Sequence, residues 1–136
     1  MRSRATWIAV LGMMGCSPSL PSGPVDVVWD EEVCAECRMH IGEPAFAAQL
    51  QTAEGEVHSF DDVGCLIRFR DARRPEVHAI WLRDSGSDRW LRYEEAAFVE
   101  AVQSPMGYGL AAVPAGTPGS FSVEEGERRV RAREAR

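Results

Sequence analysis

The chain has 136 residues and a mass of 15.0 kDa, room for one domain. All 15 basic residues are Arg, 21 residues are acidic, and the net charge of −6 with a pI of about 5.1 argues against a nucleic-acid binder, which would show a basic face. A hydrophobic share of 45% and a mean hydropathy of −0.23 exclude wholesale disorder.

Residues 1–15 read as a secretory signal: Arg2 and Arg4, then an apolar run from Ala5 to Met14, then Gly15. The run is too short to span a bilayer. Met13-Met14-Gly15-Cys16 resembles the bacterial lipobox, in which the Cys is lipidated and becomes the new N-terminus. The alternative is an ordinary signal peptide with an incidental Cys. Residues 16–25, rich in Pro and Ser, then form an extended, solvated tether. The expected domain is 26–136, held outside the cytoplasm on the periplasmic side and anchored to the membrane at Cys16. Ser17 resembles the sorting signal of outer-membrane lipoproteins. That compartment permits disulfides.

Asp26 to Trp29 is expected to be extended, and Cys34 to Gly42 a knuckle closed by Gly42-Glu43-Pro44. Residues 46–52 and 56–60 read as a hairpin around Ala53-Glu54-Gly55. Asp61 and Asp62 are N-cap candidates for a helix carrying Val63, Leu66, Ile67 and Phe69 and ending near Arg73-Arg74-Pro75. A strand over 76–82 alternates Val77, Ala79 and Trp81 against Glu76, His78 and Ile80. Phe60, Trp81, Trp90 and Phe98 are expected in the core, with His58 and His78 on the surface.

Residues 84–88 form a turn, 90–93 a strand and 94–97 a helical turn, while 98–102 suits either state. Residues 109–113 are extended and 114–120 are loop. Ser122 with Glu125 reads as a capping box opening a terminal helix. The basic run at its end (Arg128, Arg129, Arg131, Arg133, Arg136) is expected to be a solvated, frayed tail.

Removing the signal leaves few sulfur side chains besides Cys16: Cys34, Cys37, Cys65, Met39 and Met106. Three chemistries compete for them. A Cys34-x-x-Cys37 pair suits thiol–disulfide exchange, but Gly42 and Pro44 stop the long helix that a thioredoxin-like motif opens. Cys34, Cys37 and Cys65 with a His would make a structural zinc site, although no second paired motif is present. Covalent haem is disfavoured because Arg38, not His, follows Cys37. The third is Cu(I), selected by thiolate and thioether ligands. An extended Cys37-x-Met39 would place two sulfurs on one face, and Met106 from a distant turn would supply another. Cys65 also reads as a buried core thiol, and Cys34 with Cys37 as a disulfide.

Several segments together resemble the NosL family. They are Trp29-Asp30, Cys34-Ala35-Glu36-Cys37-Arg38-Met39-His40-Ile41, Phe46-Ala47-Ala48, Phe60-Asp61-Asp62-Val63-Gly64-Cys65-Leu66 and Ser104-Pro105-Met106-Gly107-Tyr108-Gly109. They run in order across residues 26–125. The resemblance implies a Cu(I)-binding chaperone, not an enzyme. It would deliver copper, with a NosDFY-type ABC membrane complex, for maturation of nitrous-oxide reductase or a related respiratory copper enzyme. The implied fold is α+β with two small ββαβ-type halves, the first over residues 46–82 and the second running from Trp90 to the C-terminal helix. Because Arg136 comes soon after the last expected helix, the second half is expected to be truncated. Carried over residue by residue, Cys37, Met39 and Met106 are the leading metal ligands. Cys34 and Cys65 match positions that vary among relatives, and His40 matches no fixed ligand.

Overall fold

The computed structural model describes residues 19–136, so the signal segment and Cys16 lie outside the described residues. The chain runs β1 (Ala48–Thr52), β2 (Val57–Phe60), α1 (Val63–Arg73), β3 (Val77–Arg83), β4 (Trp90–Arg92), β5 (Ala96–Glu100), β6 (Leu110–Pro114) and α2 (Val123–Glu134). One antiparallel sheet has the order β2-β1-β3-β4, and β5 pairs with β6 in a second. The architecture is therefore α+β. The first half is ββαβ with β4 added at its edge. The second is ββα, and no strand follows α2 among the described residues. A parallel bridge between Asp84 and Ala112, with Ser85 N–H donating to the Ala112 carbonyl at 2.8 Å, joins the two sheets.

The hairpin and α1 form where the sequence places them. Asp62 caps α1 by accepting from Gly64 N–H, and the helix ends at Arg74 in the left-handed region (φ 48°), as expected one residue before Pro75. Val63, Leu66, Ile67 and Phe69 are buried against Leu50, Phe60 and Leu82 of the sheet. Residues 98–102, open between helix and strand in the sequence, belong to β5, and the expected helical turn is a short 3-10 segment over Tyr93–Glu95.

Four expectations need correction. First, β3 does not alternate strictly. Gln51 pairs with Ala79 but Thr52 pairs with Val77, so His78 is an extra residue that flips the phase. Ile80 and Leu82 point to the core, while Ala79 and Trp81 share the opposite face with Gln49 and Gln51. Trp81 is thus not a core residue, and Arg92 lies 4.9 Å over its ring. Second, Trp90 to Arg92 belongs to the first sheet. The 84–89 turn is drawn tight by the Asp84 carboxylate, which accepts from Gly86 N–H and Ser87 Oγ, and this folds β4 back onto β3. Third, the basic run is not a frayed tail. The helix continues through Glu134, Arg131 pairs with Asp71 at 2.7 Å, and Arg129 with Glu100 at 2.8 Å. Ser122 caps α2, but Glu125 pairs with Arg128 and Arg129 instead of completing a capping box. Fourth, Asp26 to Trp29 forms no strand, and residues 21–25 are bound along the sheet and not solvated throughout.

Gly126 shows how tightly α2 docks. A Cβ there would lie 2.3 Å from a ring carbon of the fully buried Phe98. Ala normally stabilises a helix over Gly by about 1 kcal/mol, whereas overpacking a core costs about 1–3 kcal/mol. Gly126→Ala is expected to destabilise the fold by about 1–2 kcal/mol in thermal melts. An unchanged or raised melting temperature contradicts this packing.

Candidate metal centre

The first component is the knuckle. Val33 and His40 bridge, Cys34 N–H donates to the Met39 carbonyl at 2.8 Å, and Arg38 N–H closes back on the Cys34 carbonyl at 3.1 Å. The reversal requires Arg38 in the left-handed region (φ 69°). Ala35 N–H donates to the Ser59 carbonyl at 2.9 Å, which sews the knuckle to β2 just before Asp61. The second component is the β2–α1 junction. Asp62 caps the helix, so Asp61 is free to turn elsewhere, and Cys65 sits on the first helical turn.

These two segments bring Cys34, Cys37, Cys65 and Asp61 together, with one donor atom from each within 4.8 Å of the others. Cys34 and Cys65 are 0% exposed and Asp61 2%, while Cys37 is half-buried and opens the cluster to solvent. Cys37 Sγ donates to Asp61 Oδ1 at 3.3 Å. All three cysteines are thiols in the structure, with no Cys34–Cys37 disulfide.

The thiols are unequal. The Cys65 S–H donated to Cys34 holds the Cys34 thiol down at about 6, against the opposing effect of burial and helped by backbone N–H groups. Burial pushes Cys37 up to about 12, with the bonds to Cys34 and Asp61 adding to it and a Met39 backbone contact opposing. Donation to Cys34, then burial, raises Cys65 above the ordinary thiol range. Cys34 is therefore the member that ionises most readily, with the Cys37 and Cys65 thiols poised around it. Such soft donors suit a thiophilic metal ion.

The methionines are placed differently. Met39 is 59% exposed and Met106 38%. The segment between Cys37 and Met39 is not extended, because Cys37 lies in a turn and Arg38 is left-handed, so the shared-face argument does not hold. The Met106 loop is nevertheless tied to this corner. Asp62 Oδ2 accepts from Ser104 Oγ at 2.7 Å and from Met106 N–H at 3.0 Å, and Ser104 Oγ accepts from Gly109 N–H. The Tyr108 ring lies on Gly64, where a Cβ would come within 2.6 Å of three ring carbons. His40 is exposed and outside the cluster.

Asp61 is the member sequence reasoning missed, having been read as a helix cap. The signal was present: of two adjacent acids before one helix, only one can cap it.

The fold is similar to that in the crystal structure of the copper chaperone NosL from Shewanella denitrificans, with a TM-score of 0.55 and 22% sequence identity, over 82% of this chain and 89% of that chain. At that identity the likeness speaks for the fold. No protein-family model matches the sequence, and no curated protein matches it.

Proposed function

We propose that this protein is a Cu(I) carrier outside the cytoplasm, lipid-anchored at Cys16 on the periplasmic side, most simply in the outer membrane. It would deliver copper for maturation of nitrous-oxide reductase or a related respiratory copper enzyme, working with a NosDFY-type ABC membrane complex. The observation that carries the reading is the gathering of three cysteine sulfurs, two of them around the depressed Cys34 thiol, with a single half-exposed member as the way in. The similarity of the fold to that of a copper chaperone supports it.

The chemistry follows from the donors. Cu(I) takes sulfur in preference to hard oxygen. Cys34 supplies the charge that neutralises the ion, and Cys37 supplies an accessible second sulfur. Exposed thioethers at Met39 and Met106 are neutral, so they can join or leave without changing the charge of the site. A buried thiolate that retains the ion and a solvent-facing edge that exchanges ligands are what a carrier, as opposed to an enzyme, requires. Asp61, a hard donor, serves here as the acceptor for Cys37 S–H.

That same carboxylate favours a second reading. Three cysteines and Asp61 form a nearly closed four-donor set, which suits a structural zinc ion. Anaerobic titration against a competing Cu(I) chelator separates the two. The carrier reading expects one tight equivalent, weakened at least tenfold by Cys37→Ala and by Met106→Ala. Binding unaltered by both changes overturns the proposed ligands. Unfolding on chelation of zinc, indifferent to Met106→Ala, selects the structural reading.

A further inference from the structure

The N-terminal segment makes a registered contact that neither the fold nor the metal cluster requires. It crosses the face of the four-stranded sheet opposite α1. Pro21 carbonyl accepts from His78 Nε2 at 3.0 Å, and Gly23 carbonyl from Gln51 Nε2 at 2.8 Å. Val25 carbonyl accepts from Gln49 Nε2 at 3.0 Å, while Val25 N–H donates to Gln49 Oε1 at 2.9 Å. Gln49 and Gln51 are both 0% exposed in the middle of β1. Apolar residues would pack such a face without needing hydrogen-bond partners. Two buried amides, spaced by two and matched to carbonyls spaced by two, instead fix the register of the strap. Gln51 Nε2 also bonds Gln49 Oε1 at 3.0 Å, which locks the pair's orientation.

The strap has a direction. Pro21 lies at the hairpin-turn end of the sheet, beside His78, and Val25 lies further along β1. Val27 then enters the core, and the chain continues into the Cys34–Cys37 knuckle. The chain leaves the sheet at the end formed by Ala53–Glu56 and Arg74–Val77, whereas the thiol cluster occupies the opposite end, at Asp61. The five residues of β1 separate these ends by about 15 Å or more.

We infer that this strap orients the anchored domain: its hairpin-turn end faces the bilayer and its thiol end faces away, towards a water-borne partner. The inference rests on the lipid-anchored reading of Cys16. From Cys16 to Pro21 the chain can reach about 18 Å at most. Were residues 16–29 free, the reach would be roughly 45 Å and any end of the domain could meet the membrane. The strap thus shortens the reach of the anchored domain and fixes where the chain leaves it.

The absence of Lys from the sequence provides a clean test. Glu54→Lys at the turn end and Gln103→Lys beside the Met106 loop, both exposed positions, each give one side-chain amine for a dye. The unsubstituted chain measures α-amino background. The full lipidated chain is placed in phosphatidylethanolamine–phosphatidylglycerol vesicles bearing a headgroup acceptor. Energy transfer is expected to be at least threefold higher from position 54 than from position 103. Gln49→Leu with Gln51→Leu, or His78→Ala, is expected to bring the ratio towards one. Mass spectrometry of the purified chain separates the two readings. An unmodified Cys16 overturns both the anchor and the orientation. An acylated Cys16 with equal transfer overturns the orientation alone.

Discussion

Replacing Asp62 with Ala is expected to cost about 3–4 kcal/mol of folding stability and to release the Met106 loop. Asp62 is 0% exposed, and its two oxygens serve two structures. One oxygen caps α1 through Gly64 N–H at 2.9 Å, and a lost cap costs about 1 kcal/mol. The other accepts from Ser104 Oγ and Met106 N–H, two donors that Ala would leave without an acceptor. Each stranded donor costs about 1–3 kcal/mol where water cannot reach it. Asp62→Asn retains one acceptor oxygen and should lose about half as much. Urea denaturation measures the stability, and amide exchange at Met106 and Gly109 reports the loop. A variant within 1 kcal/mol of the parent, or one whose loop amides stay protected, would show that Asp62 is not the clamp described.

The same clamp explains which parts of the molecule could be read from its sequence. The hairpin, α1 and α2 are local: turn residues, caps and apolar spacing lie within a dozen positions of one another. What escaped has no such plain local signal. The bulge at His78 reverses which face of β3 is buried, and no residue near 78 announces it. β4 joins the first sheet because of how Asp84 closes its turn. The strap was read as solvated because its Pro and Ser content says nothing of buried amides waiting on β1. At the candidate site, the pairing of Cys34 with Cys37 was legible from spacing. The arrival of Cys65 was legible only as one option, a member of a four-ligand zinc set, because a Cys in an apolar helix stripe otherwise reads as core. Asp61 escaped because either of two adjacent carboxylates before a helix reads as a cap, and only the fold shows that Asp62 takes that role.

Replacing Cys65 with Ala is expected to weaken Cu(I) binding at least a hundredfold, equivalent to about 2.7 kcal/mol. Cys65 is fully buried and its thiol donates to Cys34, so it is both a prospective ligand and the group that holds the Cys34 thiolate. If it were only a core thiol, removing one sulfur would cost about 1 kcal/mol of stability and leave the metal affinity alone. Thiolate absorbance of the apo protein gives an independent readout. In the parent, Cys34 is expected to ionise first, at about 6, while burial keeps Cys37, and donation to Cys34 keeps Cys65, protonated through neutral pH. Without the Cys65 donor, the largest influence lowering Cys34 is gone and burial is left opposing ionisation. The step must therefore move up in pH, so that at pH 7 the variant carries less thiolate than the parent. Protons then compete harder for the same sulfur, and the affinity deficit should be greatest at low pH and shrink as pH rises. A Cys65→Ala protein that binds Cu(I) as the parent does, with its thiolate step unmoved, would put the metal elsewhere, at the exposed edge of Cys37, Met39 and Met106.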